Sequence, residues 1–304
     1  DGKYMNDELQ RIVDSLNAWG WSANARISFN KFLNAVETEQ GLSEQIQNIQ
    51  KIIDNIVLDK EANQFKKCLK VGTECYRARI INPEDDTNLE KGIGKTQDNK
   101  FLGYNDINSR EPILGIGSEG RNSIAGASYL YVASDPETAC MEIKSQLGSL
   151  ISLAKFKVVK PLYVFDFESD KTFPRETTEC YGMSMGVFFS QLMLRFSQPV
   201  RGENAYRATQ VIADYLRKTG IDGIKYKSFL TPRGSNYTIF NCHPSAIEFC
   251  GSRVLLHKQA NHSFWDFNNE TEIMSNKEGT MLTYDKRIAD DHKSQLSKYF
   301  KRIK

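Results

Sequence analysis

The segment from Gly120 to Glu142, GRNSIAGASYLYVASDPETACME, leaves this chain few ways to fold. Ser128–Ala133 is a short run of alternating and aromatic residues, which reads as a strand. Ser134 or Asp135 then stands where a helix N-cap belongs, Pro136 takes the first helical position, and Glu137 falls in the first turn. Ala139, Ile143 and Leu147 form the expected core face of that helix. Glu142 lies on the flank of the same face, where it can point at a cleft beside the sheet. A strand running straight into a capped helix calls for a mixed α and β architecture.

The remainder of the chain supplies other elements. Residues 1–70 read as a helical N-terminal extension. Phe29, Phe32, Leu33 and Val36 fall at helical spacing, and after a cap at Ser43 so do Ile46, Ile49, Ile53 and Ile56. Cys75–Ile81 reads as a strand, and residues 83–112 as a long polar, irregular insert. Ser152–Val159 and Pro161–Phe167 read as further strands. Residues 204–219 form a strong amphipathic helix with Ala208, Val211, Ile212, Tyr215 and Leu216 as its stripe and Gly220 after its end. Asp222-Gly223 turns the chain into a strand at Ile224–Lys227, and Tyr237–Asn241 and Ile247–Leu256 follow. The expected organisation is an extension over 1–70, a main domain over 71–256, and a polar tail over 257–304 ending in a basic helix, Gln295–Lys304.

Composition excludes several classes. A net charge of +2 over 304 residues makes no case for nucleic acid or an anionic membrane. No apolar run reaches the roughly 20 residues of a membrane span, and DGKYMNDELQ has no signal-peptide core. The six cysteines include no C-x-x-C pair, so reduced thiols and a cytoplasmic location are expected. The sequons at Asn236, Asn261 and Asn269 are then chance matches. His243, His257, His262 and His292 have no partners at metal-ligand spacing, so no metal is expected. The triplet of glycines in Gly115-Ile-Gly117-Ser-Glu-Gly120 follows Pro112 and precedes a strand, the reverse of a dinucleotide-binding turn. Gly94-Lys95-Thr96 has Leu89 where a phosphate loop needs its first glycine. A G-x-S-x-G elbow is missing as well.

Four segments taken in order, TECYRAR, FLGYNDINSREP, GRNSIAGASYLYVASDPETACMEIK, and YRATQVIADYLRKTGIDGIKYKS with SNYTIF, resemble the RES domain, a family named for its Arg, Glu and Ser. The resemblance covers roughly residues 72–250. One departure is Ser123-Ile124, where family members usually carry Asn-Pro. The resemblance implies an α+β fold with an ADP-ribosyltransferase-like sheet core and flanking helices. It implies action on NAD, by phosphorolysis, hydrolysis or transfer of ADP-ribose to a protein. It also implies toxicity to the host cell and neutralisation by an antitoxin with an Xre-like domain. The family's Arg falls on Arg77, its strand-end Tyr on Tyr131, its Glu on Glu142 and its Ser on Ser228.

The chemistry of those side chains fits these roles. Cleaving the nicotinamide–ribose bond passes through an oxocarbenium-like state. Glu142 is suited to hold the ribose hydroxyls and stabilise that cation. Arg77, with Arg121, is suited to fork onto phosphate oxygens. Tyr131 offers an aromatic face for nicotinamide, and Ser228 and Asn236 offer polar contacts. Glu142 and Arg77 are the expected catalytic residues. Arg77, Arg121, Tyr131, Ser228 and Asn236 are the expected NAD-binding set. Inorganic phosphate is an admissible co-substrate. Taken one by one, each residue also has a structural reading as a solvated Glu, a surface ion pair, a core Tyr or a capping Ser. The competing functions are a mono-ADP-ribosyltransferase with a protein target and a catalytically silent nucleotide-binding module.

Overall fold

The computed structural model describes residues 23–36, 38, 43–47, 50–51, 54, 65–98, 100–168, 179–180, 183–197, 206–231, 233–257, 263–266 and 271–274. The chain divides into two compact units, 1–145 with 149–255, and 146–148 with 256–304.

The first unit is built on an eight-stranded sheet. Its strands are β1 (Lys66–Leu69), β2 (Glu74–Ile81), β5 (Leu130–Ala133), β6 (Leu150–Val158), β7 (Leu162–Asp166), β10 (Gly223–Lys227), β11 (Ser235–Ile239) and β12 (Ile247–Leu256). Their spatial order is β1-β7-β10-β11-β5-β2-β6-β12. The short pairs β3 (Gly94–Lys95) with β4 (Phe101–Leu102), and β8 (Glu179–Cys180) with β9 (Met183–Ser184), stand apart from it. The helices include α1 (23–36), α2 (Asp106–Ser109), α3 (Pro136–Glu142), α4 (Met185–Ser197) and α5 (Arg207–Lys218), and residues 43–47, 50–51 and 54 are helical too. The arrangement is α+β, as expected from the sequence. In the second unit, β13 (Ser263–Asp266) and β14 (Thr271–Met274) form an antiparallel pair within the range read as a polar tail. Gln295–Lys304 lies outside the described residues.

Most ladders are long. β2 and β6 pair over eight residues, from Glu74↔Lys157 to Ile81↔Leu150, and β10 and β11 over five. The join between β2 and β5 is a single bridge, Tyr76↔Ala133. That row continues through Asn236 on β11 and Tyr226 on β10, and cross-strand partners share a face of the sheet.

Two findings modify the reading of the first 70 residues. Helix α1 buries Ala25, Phe29, Phe32 and Val36 in the same core as Phe165, Phe196 and Ile212. Lys66–Leu69, expected to be helical, is a strand paired antiparallel to β7, which offers it an edge; Leu69 enters the core while Lys66 and Lys67 stay exposed. Ile49, Ile53 and Ile56 lie outside the described residues.

Helix α3 is also shorter than its apolar spacing suggests. It ends at Glu142 with Ile143 as C-cap. Ala139 is buried and Ile143 packs beside it, but Leu147 lies beyond the helix and is exposed. The apolar run that forms α4 is an element the sequence reading did not assign. Its Leu192 and Phe196 are fully buried, and Phe196 stacks on Phe167 with centroids 4.2 Å apart.

Candidate active site

Helix α3 is held in place by its own first turn. Asp135 caps it, taking the backbone N–H of Thr138 at 2.8 Å and the hydroxyls of Thr138 and Ser134, both at 2.7 Å. Burial disfavours the Asp135 charge, yet the bonds from Thr138 and Ser134 outweigh it and hold the carboxyl below the usual carboxylate range. Thr138 Oγ1 lies 3.0 Å from Thr231 Oγ1, so the helix is tied to the loop after β10. Gly234 closes that contact, since a Cβ there would sit 1.9 Å from Thr138 Oγ1.

This arrangement delivers Glu142 to the two side chains that meet it. Its Oε1 accepts a hydrogen bond from Ser228 Oγ at 2.7 Å and another from Asn236 Nδ2 at 2.7 Å. Ser228 and Asn236 are both buried, whereas Glu142 is half-buried and lines a cleft of about 440 Å³. The same cleft is lined by Arg77, Arg121, Tyr131, Tyr226 and Asn236.

Arg77 reaches the cleft where the sheet parts. With only one bridge between β2 and β5, the carbonyl of Tyr131 meets Arg77 Nη1 at 3.5 Å, a long bond. Burial, with the neighbouring Arg79 charge, pulls the Arg77 guanidinium down to about 10, so it remains protonated at neutral pH. A half-buried fork with so little hydrogen bonding is suited to receive an oxyanion.

The Gly-Arg turn is braced in a way that explains how Ser123 serves there. Tyr131 OH donates to Ser123 Oγ at 2.9 Å and accepts from the backbone N–H of Asn122 at 3.1 Å. Gln210 Nε2 donates to Glu119 at 2.8 Å, to the Gly120 carbonyl at 2.9 Å and to the Ser123 carbonyl at 3.2 Å. Gly120 leaves room for this brace, because a Cβ would press on Ser123 Oγ at 2.9 Å and Tyr131 OH at 3.0 Å. Arg121 differs from Arg77. Its Nη1 donates to the carbonyls of Arg195 at 3.3 Å and Phe196 at 2.9 Å, at the end of α4. Its guanidinium lies 5.5 Å from the Tyr206 ring centre and 6.0 Å from that of Tyr226.

The structure thus brings all six residues expected from the sequence together at one cleft. Five line the cleft, and Ser228 stands behind Glu142. The sequence reading missed Tyr226, whose buried ring lies under Arg121 and whose hydroxyl is pushed upward by burial, and Gln210, which holds the turn. Gln210 is buried; in the sequence its one signal is a polar side chain beside Val211 of the apolar stripe of α5. Cys75 and Cys242 are buried, which raises both thiols to about 12 and makes them poor nucleophiles. Among the described residues, no group of three or more His, Cys, Asp or Glu could hold a metal ion. No helix among them is long and apolar enough to cross a membrane.

Residues 108–256 match the family model of the RES domain. The chain carries a RES domain. The matched stretch contains Arg121, Tyr131, Glu142, Ser228 and Asn236, and it begins after Arg77. No curated protein matches the chain. Among solved structures, a similar one is the crystal structure of the M.tuberculosis MbcT-MbcA toxin-antitoxin complex. The identity is 11%, the TM-score is 0.36, and the match covers 69% of this chain and 92% of that one.

Proposed function

We propose that this RES domain consumes NAD by cleaving its nicotinamide–ribose bond, as a toxin-like enzyme. The observation that carries the reading is the placing of Glu142. Its carboxylate is fixed from one side by Ser228 and Asn236, each at 2.7 Å, and it lines the cleft that Arg77 also lines. Both donors reach Oε1, which leaves Oε2 for the ribose hydroxyls. As the C–N bond breaks, positive charge develops on the ribose, and a fixed carboxylate stabilises it without reorganising. Arg77 takes a phosphate of the dinucleotide, and the Tyr131 ring, held by its own hydroxyl, packs on nicotinamide. Nicotinamide leaves as a neutral molecule, and phosphate or water attacks the ribose carbon.

The resemblance also implies an antitoxin with an Xre-like domain, and one feature of the surface favours a protein partner. The loop between Pro112 and Ser118, both of which line the cleft, exposes Ile113, Leu114 and Ile116. Exposed apolar groups clustered beside a site favour a protein contact. Transfer of ADP-ribose to a protein target is the competing outcome.

Incubating the purified chain with NAD, with and without phosphate and EDTA, tests the reading. Separation of the products and intact mass of the protein are the readouts. Nicotinamide release that survives EDTA supports it, and phosphate dependence distinguishes phosphorolysis from hydrolysis. A mass gain on an added protein indicates transfer. Absence of nicotinamide release refutes the proposal.

A further inference from the structure

Lys144 is the single non-glycine residue with positive φ among the described residues, at 49°. It follows the C-cap of α3, the position that helices usually give to glycine because a Cβ is unfavourable in the left-handed conformation. Lysine here costs stability, and glycine would relieve the strain. The side chain is exposed and lines the cleft, two residues from Glu142. Its backbone N–H is satisfied by the Met141 carbonyl at 3.1 Å. Among the described residues its ammonium makes no ion pair or hydrogen bond, so the helix end does not make use of it.

The other charges of the cleft are largely committed. Glu142 is bonded to Ser228 and Asn236, Glu119 to Gln210, and Arg121 to the last carbonyls of α4. Arg77 and Lys144 are the cations with capacity to spare. A diphosphate bridge presents two phosphoryl groups, and one guanidinium fork serves one of them.

We infer that Lys144 is an anion-binding residue of this cleft, placed by its left-handed backbone to hold a phosphoryl oxyanion beside Glu142. The inference rests on the proposed NAD reading. The oxyanion comes from the diphosphate bridge of the dinucleotide or from free phosphate acting as acceptor.

Calorimetric titration of the full chain with two probes, ADP-ribose and inorganic phosphate, tests this together with thermal melting. Lys144→Gly and Lys144→Ala are expected to weaken binding about fivefold, the effect of losing one solvent-exposed charge contact, while Lys144→Arg retains most of it. Lys144→Gly is also expected to melt about 2 °C higher than Lys144→Ala, since only glycine relieves the backbone. Weakening with ADP-ribose assigns the site to the diphosphate, and weakening with phosphate alone assigns it to the acceptor. Unchanged affinity for both probes in Lys144→Gly and Lys144→Ala overturns the inference, as does failure of both probes to bind the wild-type chain. A wild-type chain that binds ADP-ribose through Lys144 yet releases no nicotinamide rejects the proposed reaction and leaves the anion site standing.

Discussion

Replacing Glu142 with glutamine separates chemistry from folding more cleanly than any other single change. The carboxylate accepts two hydrogen bonds at 2.7 Å, and a glutamine amide oxygen in the same place can accept both. What is lost is charge assistance, about 1 kcal/mol per bond in a dry site. Glu142 is half-buried, so solvent screening brings the sum to about 1 kcal/mol and the fall in Tm to about 2–4 °C. The loss in turnover should be far larger, about a hundredfold to a thousandfold, because a carboxamide cannot stabilise the ribosyl cation. Alanine is the poorer probe. It strands the Ser228 hydroxyl and the Asn236 amide, both buried, at about 1–3 kcal/mol each. The assay is nicotinamide release by chromatography, beside a thermal melt and a near-ultraviolet dichroism spectrum. A folded Glu142→Gln protein turning over NAD near the wild-type rate refutes the assignment. A protein inactive only because it has unfolded does so equally.

Arg77→Lys keeps the charge and loses the fork, so NAD binding measured by calorimetry should weaken about tenfold; wild-type affinity in both Arg77→Lys and Arg77→Ala returns Arg77 to a structural role. Tyr131→Phe keeps the ring but leaves the Asn122 N–H without its acceptor, so Tm should fall by about 2–6 °C while NAD still binds; a loss of binding without a fall in Tm contradicts this. Asp135 is a carboxylate whose folded pKa is lowered, so its stabilisation is present above its unfolded value of about 3.9 and is lost as pH falls through the folded one. The wild-type melt should therefore fall more steeply below about pH 4 than that of Asp135→Asn, and parallel acid limbs exclude this contribution. A chain shortened to begin at Val71 removes β1 and the buried residues of α1, so it should aggregate; a soluble, active product shows that the first 70 residues are dispensable for the core.

Much of the site was legible because it is written in local signals. The cap at Asp135, Pro136 at the first helical position and the strand before them set α3, and the order of motifs assigned Arg77, Tyr131, Glu142 and Ser228. The departure at Ser123-Ile124 also has a local account, since the Ser123 hydroxyl accepts from Tyr131. What sequence did not reveal depends on distant packing. Tyr226 reads as an ordinary strand residue until β10 lies beside β11, and Gln210 as a polar break in a helical stripe until the turn lies above it. Lys66–Leu69 became a strand because β7 offers it an edge, a fact with no local trace. Leu147 kept helical spacing, but the helix had already ended at Ile143, where Lys144 takes the left-handed conformation.

Where β2 and β5 meet by one bridge, a helix does the joining that backbone does elsewhere. Ala139 of α3 packs with Ala78 of β2 and Ala133 of β5, all three buried. The height of the Glu142 carboxylate above the sheet therefore depends on three methyl groups as well as on the cap at Asp135. A valine at any of them wedges the helix outward, since a close-packed interior has no room for added methylenes. Ser228, just after β10, and Asn236 on β11 would not follow. The chain has thus tied the alignment of its carboxylate to the smallness of three alanines at the cleft wall.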